Sequence, residues 1–155
     1  MEVLRQIASF SVNHDFITEG IYISRIDGDI TTYDMRTRVP NSGVYMDNIT
    51  MHSFEHLFAT MVRSSEIGGQ VIYFGPMGCQ TGFYLLVRDA DNEVVLRVVK
   101  ELLGKIAVYD GKMPGGTREE CGNYKNLAIE PARVLAKEYL AILENSVCDF
   151  KYREK

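Results

Sequence analysis

His52, Glu55 and His56 fall within the run Met51-His52-Ser53-Phe54-Glu55-His56-Leu57-Phe58. In a helix of about 3.6 residues per turn the two histidines sit one turn apart on one face, where two imidazoles can grip a divalent metal ion. Glu55 lies on the flank of that face, close enough to carry a proton beside the metal. A third ligand is needed, and Cys121 is the leading candidate, because its loop contains glycine and lets the backbone approach a metal closely. Two His and one Cys leave a fourth tetrahedral position open, the arrangement of a catalytic rather than a structural site. Cys79 is a second thiol of interest, at the end of Gly75-Pro76-Met77-Gly78-Cys79 between two strand-like runs. A turn there projects a side chain out of a sheet. The competing account is plain: free cysteines are commonly buried and inert, and a loop cysteine needs no metal. Cys148 has no such context and reads as structural.

These groups need elements to hold them. The helix is expected to start near Asp47-Asn48-Ile49-Thr50, where Asp, Asn or Thr can cap it, and to stop at Ser64-Ser65-Glu66-Ile67-Gly68-Gly69. Met51, Phe54, Leu57, Phe58, Met61 and Val62 form its apolar stripe, while His52, Glu55, His56 and Ala59 gather on another side. Upstream, residues 1–20 show no clean periodicity and carry Ser9 and His14. Gly20 to Ile26 reads as a strand, Asp27-Gly28-Asp29 as a turn, and Ile30 to Val39 as the returning strand, with Arg36 near its end.

Downstream, Val71 to Phe74 and Phe83 to Val87 read as strands, Asn92 to Leu103 as a helix closed by Gly104, and Ile106 to Tyr109 as one more strand. A long loop from Asp110 to Asn123 follows, of the kind that is usually functional or disordered. Pro131 suits the first turn of a last helix that runs through Asn145. The expected architecture is α+β: a mostly antiparallel sheet packed against helices on one face, a two-layer sandwich, in a single catalytic domain over residues 1–155.

Composition narrows the class. The chain has 155 residues, 46% hydrophobic and 25% charged, which fits a globular domain with a substantial core. Net charge is -4, with no basic run beyond the short tail at 151–155, which argues against a nucleic-acid partner. No apolar stretch is long enough to span a membrane, and the first residues lack the blocks of a signal peptide. Three scattered cysteines make a poor disulfide framework and point to a reducing, cytoplasmic setting.

Three stretches resemble the S-ribosylhomocysteine lyase (LuxS) family: His52 to Leu57, Pro76-Met77-Gly78-Cys79-Gln80-Thr81-Gly82-Phe83-Tyr84, and Cys121-Gly122-Asn123. Ser9-Phe10 with His14, Asp34-Met35-Arg36 and Pro40-Asn41 also fall at family-like positions, so the resemblance covers nearly the whole chain. One departure is Gly75, where the family commonly has serine; it keeps the tight turn and bears at most on a substrate contact. The resemblance implies cleavage of the thioether of S-ribosyl-L-homocysteine to L-homocysteine and 4,5-dihydroxy-2,3-pentanedione, the precursor of a quorum-sensing autoinducer, within the activated methyl cycle. It implies His52, His56 and Cys121 as metal ligands, Glu55 and Cys79 as the acid/base pair, and Ser9, His14 and Arg36 as substrate-binding residues. It further implies a homodimer with active sites at the subunit interface. The ligand set alone favours zinc, whereas the resemblance points to Fe2+, with Zn2+ or Co2+ able to substitute.

The implied chemistry suits these residues. The sugar carbonyl must migrate from C1 through C2 to C3 before β-elimination can expel the homocysteine thiolate. Each shift passes through an enediolate, which a Lewis acid would stabilise, and moves a proton between neighbouring carbons. Two other readings use the same helix. The order His-x-x-Glu-His is also that of the inverzincin peptidases, which would want a downstream carboxylate ligand such as Glu93 and would give Cys79 nothing to do. A metal-sensing or storage module would need neither the open fourth position nor the extra thiol.

Overall fold

The computed structural model describes residues 2–153. Its regular elements are α1 (Ala8–Ser11), β1 (Gly20–Asp27), β2 (Ile30–Arg36), α2 (Asn48–Arg63), β3 (Val71–Pro76), β4 (Gly82–Arg88), α3 (Asn92–Ala107) and α4 (Ile129–Glu144). Short 3-10 turns lie at His14–Phe16, Gly68–Gln70 and Tyr124–Asn126. The four strands form one sheet in the order β1-β2-β4-β3, every neighbouring pair antiparallel. The architecture is α+β, as expected.

Strand alternation explains the layering, because successive side chains leave opposite faces of a sheet. Tyr33, Met35, Phe83, Leu85 and Val87 are fully buried and join the core that α2, α3 and α4 cover. The residues between them, Asp34, Arg36, Tyr84 and Leu86, belong to the other face. Gly28 turns the β1–β2 hairpin in the left-handed conformation, at φ 60.

The helix bearing the histidines is seated by aromatic rings. Phe54 and Phe58 are stacked on each other, and both meet Phe74 of β3; Phe54 also meets Phe83 of β4 at 4.9 Å. Both are fully buried, and each such burial contributes about 2–3 kcal/mol. Asp47 caps the helix by accepting a 2.8 Å hydrogen bond from the Thr50 N–H. Midway along, the buried Ser53 hydroxyl accepts the Ala128 N–H at 2.9 Å, tying α2 to the start of α4.

The chain differs from the sequence expectation in three places. Ile106 to Tyr109 is not a strand: α3 continues through Gly104 to Ala107. Gly104 faces α4, where its Cβ would lie 4.0 Å from Leu140, so the missing side chain serves helix packing rather than termination. Ile106 is fully buried on the helical stripe. Strand β2 stops at Arg36 instead of Val39, because the Thr37 and Arg38 N–H groups both turn to the Thr81 carbonyl. Residues 2–19, part of the stretch without clean periodicity, hold α1 and the turn at His14–Phe16.

Candidate metal centre and thiol cavity

Two chemical groups are assembled by different parts of this scaffold. The first is built on α2. His52 and His56 project together with ring centroids 4.7 Å apart. The loop between α3 and α4 brings Cys121 to them, its Sγ 3.4 Å from Nε2 of His52. The ligating atoms of His52, His56 and Cys121 all lie within 4.8 Å of one another, and all three residues are half-buried. Glu93, the alternative third ligand, is not part of the group; it is exposed in the first turn of α3.

Both rings are oriented by backbone. Nδ1 of His52 bonds the Asn126 carbonyl at 3.0 Å, and Nδ1 of His56 bonds the Pro114 carbonyl at 2.8 Å. A carbonyl can only accept, so Nδ1 of His56 carries the proton and its Nε2 is left as a lone-pair donor; at His52 the Asn126 carbonyl is the shorter contact and favours the same tautomer over the Asn126 amide nitrogen at 3.2 Å. Such outer contacts usually accompany metal-ligating histidines. Two imidazole nitrogens and a thiolate suit zinc, cobalt or ferrous iron. The Asn123 N–H also points at the Cys121 sulfur, at 3.4 Å.

The second group surrounds Cys79 in the β3–β4 connection. Cys79 is exposed and lines a cavity of about 390 Å3 with Ser9, His14, Arg36, Met77 and Tyr84. That volume suits a small metabolite. The antiparallel register pairs Arg36 with Gly82 and Asp34 with Tyr84, which sets the buried Arg36 beside the turn that carries the thiol. The N-terminal segment supplies the remaining wall. Ser9 sits on α1, and His14 is held by a 2.9 Å contact from Nδ1 to the Val12 carbonyl. A larger recess of about 900 Å3 lies beside residues 149–153 with Ile23 and Asn92, but it holds neither thiol nor histidine. The sequence candidates Ser9, His14, Arg36 and Cys79 line the smaller cavity.

A chain of hydrogen bonds underlies Cys79. Its Sγ lies 3.0 Å from Oγ1 of Thr81. Nη1 of Arg36 donates to that same oxygen at 2.9 Å. Arg36 also donates twice to Asp34, from Nε at 3.0 Å and from Nη2 at 2.5 Å, and Tyr152 donates to Asp34 Oδ2 at 2.7 Å. Burial alone would lower the Arg36 guanidinium. The hydrogen bonds and charge of Asp34, with smaller effects of Cys79 and Tyr152, instead hold it above its ordinary value. Burial, and then the Asp34 charge, push the Tyr84 phenol up.

The structure thus gathers the sequence candidates into two sets: His52, His56 and Cys121 around one point, with Glu55 half-buried on the same helix, and Ser9, His14, Arg36 and Cys79 around a cavity that none of the first set lines. Thr81, Asp34 and Tyr152 escaped the sequence reading as site residues, although Thr81 and Asp34 lie inside the quoted motifs. At the one departure, Gly75, the Tyr73 ring fills the space: a Cβ there would come within 2.0 Å of the Tyr73 hydroxyl.

Relatives of this chain are named as lyases, and this chain is an enzyme of the same class. A family model described as S-Ribosylhomocysteinase (LuxS) matches residues 7–148, and the chain belongs to that family. A protein of Finegoldia magna named S-ribosylhomocysteine lyase is 41% identical over 147 residues, covering 92% of this chain and 94% of the relative. Proteins of the same name from Clostridium acetobutylicum and Borreliella burgdorferi are 38% and 36% identical over 148 residues, with the same coverage.

Proposed function

We propose that this protein is a metal-dependent carbon-sulfur lyase, a single catalytic domain over residues 1–155, that cleaves S-ribosyl-L-homocysteine to L-homocysteine and 4,5-dihydroxy-2,3-pentanedione. The product is the autoinducer precursor of quorum sensing, and the step serves the activated methyl cycle in the cytoplasm. The names of the relatives support the substrate. The observation that carries the metal dependence is the His52, His56 and Cys121 group, with both Nε2 atoms kept free to ligate. Those residues would hold Fe2+, the metal implied by the family resemblance, or Zn2+ or Co2+ in its place. When bound, such a cation supplies Lewis-acid stabilisation of negative charge developing on the sugar oxygens.

The chain's own residues move the protons. Cys79 as thiolate and Glu55 as carboxylate take a proton from one sugar carbon and return it to the next, so that the carbonyl reaches C3. Removal of the C4 proton then expels homocysteine thiolate from C5 by β-elimination. Ser9, His14 and Arg36 bind and orient the substrate in the cavity beside Cys79. The cavity includes none of the metal group, which supports a homodimer whose active sites form at the interface, each joining the two groups.

Purified protein incubated anaerobically with S-ribosylhomocysteine should release homocysteine, read with a thiol-reactive dye, and should release no peptide fragments from casein. A fully metallated protein that yields no thiol would overturn the reading.

A further inference from the structure

The family match ends at residue 148, yet the segment beyond it reaches the thiol cavity's supporting network. We propose that Tyr152 is a positioning residue for substrate capture: its hydroxyl locks the Asp34 carboxylate that holds Arg36 in the cavity wall. The inference rests on the reading of Arg36 as a substrate-binding residue.

Asp34 is completely buried, and its two oxygens accept from Arg36 Nε, Arg36 Nη2 and the Tyr152 hydroxyl. A carboxylate has about four acceptor sites and a broad terminal torsion, so the two bonds from Arg36 leave carboxylate and guanidinium able to pivot as a pair about the single Arg36–Thr81 bond. The third bond fixes them, because Tyr152 is anchored independently. Its ring stacks on Tyr22 at 5.0 Å between centroids. Two residues earlier, the Phe150 carbonyl accepts the Ile23 N–H at 2.8 Å, and the buried Phe150 ring packs edgewise on Tyr33. The segment therefore lies beside β1, joined to it by a single isolated parallel bridge between Tyr22 and Phe150.

The polarity is consistent from end to end. Burial, then the Asp34 charge and hydrogen bond, push the Tyr152 phenol far above its ordinary range, so it stays a donor at any working pH. Arg36 uses three of its five N–H donors on Asp34 and Thr81. The remaining pair can face a polar group of the substrate only if the guanidinium plane is held. Removing the Tyr152 hydroxyl should loosen that plane without touching the thiol.

The test is Tyr152→Phe in the full chain, which keeps the ring stack on Tyr22 and deletes only the hydroxyl. KM for S-ribosylhomocysteine should rise about tenfold, the scale of one hydrogen bond to a charged group, with kcat nearly unchanged. In an Arg36→Lys background the same change should add nothing further. A variant that melts earlier but keeps the wild-type KM makes Tyr152 purely structural and overturns the proposal. So does an additive effect with Arg36→Lys. If Arg36→Lys itself leaves KM unchanged, the reading of Arg36 falls and this proposal falls with it. If Arg36→Lys raises KM while Tyr152→Phe does not, only this proposal fails.

Discussion

The Cys79 sulfur rests 3.0 Å from the Thr81 hydroxyl oxygen, and that oxygen already accepts a hydrogen bond from Arg36. A hydroxyl that accepts from a guanidinium has its own proton free to give, and a thiolate can only accept. In the proposed mechanism Thr81 is therefore the group placed to donate to the Cys79 sulfur. Thr81→Val should lower kcat/KM about tenfold, since it deletes one charge-assisted bond, while Thr81→Ser should retain most activity. Homocysteine release and the rate of Cys79 alkylation by iodoacetamide should fall together. Unchanged alkylation in the valine variant would remove Thr81 from that role.

Gly115 offers a way to disturb the metal group without touching a ligand. It adopts a left-handed φ of 63, and a Cβ there would lie 3.2 Å from Nδ1 of His56, the atom that bonds the adjacent Pro114 carbonyl. Gly115→Ala should strain the turn and turn the ring, and contacts of this kind typically cost about 10- to 100-fold in metal affinity. Cys121→Ser should lose metal more completely, whereas Cys79→Ala should keep it and lose turnover. Metal content after desalting, measured by elemental analysis, separates the three. Full metallation of Cys121→Ser would take the thiol out of the ligand set.

Much of this was legible in the sequence because it is local. The spacing of His52 and His56, the stripe led by Phe54 and the turn at Gly28 are all short-range signals. The run Ile106 to Tyr109 misled because a short apolar stretch serves a helix or a strand equally, and only packing against Leu140 explains why Gly104 does not end α3. His52 meets Cys121 from 69 residues away, a pairing legible only because each end carries its own motif. Tyr152 meets Asp34 from 118 residues away and had no such signal. A motif names the residue that reacts more readily than the one that orients it.

Asp47 links the stability of the metal helix to pH. The side-chain hydrogen bond to Thr50, followed by the backbone one, holds its carboxyl below the ordinary value. A carboxyl depressed in the folded state stabilises fully above its unfolded pKa and loses that contribution as pH falls through the folded one. Asp47→Ala should therefore cost about 1 kcal/mol near neutral pH, the scale of a helix cap. The gap between variant and wild type should narrow once the solution is acid enough to protonate Asp47. Urea unfolding at neutral and strongly acid pH checks the sign, and a gap that widens in acid would show that the cap is not anionic.

Mixed dimers address how the two groups meet. If each active site joins the Cys79 cavity of one subunit to the His52, His56 and Cys121 group of the other, then Cys79→Ala and His56→Ala damage opposite halves. Each variant alone should be inactive. In a mixed dimer both defects fall in the same site, and the second site receives two intact halves. Co-expression with two different affinity tags, followed by sequential purification, should then recover about half of the wild-type activity per dimer. If both halves of a site came from one chain, each site of the mixed dimer would carry one defect and activity would stay at the level of the single variants. The rescue reads subunit composition directly, independent of whether either substitution also lowers stability, because a misfolded partner could not restore turnover.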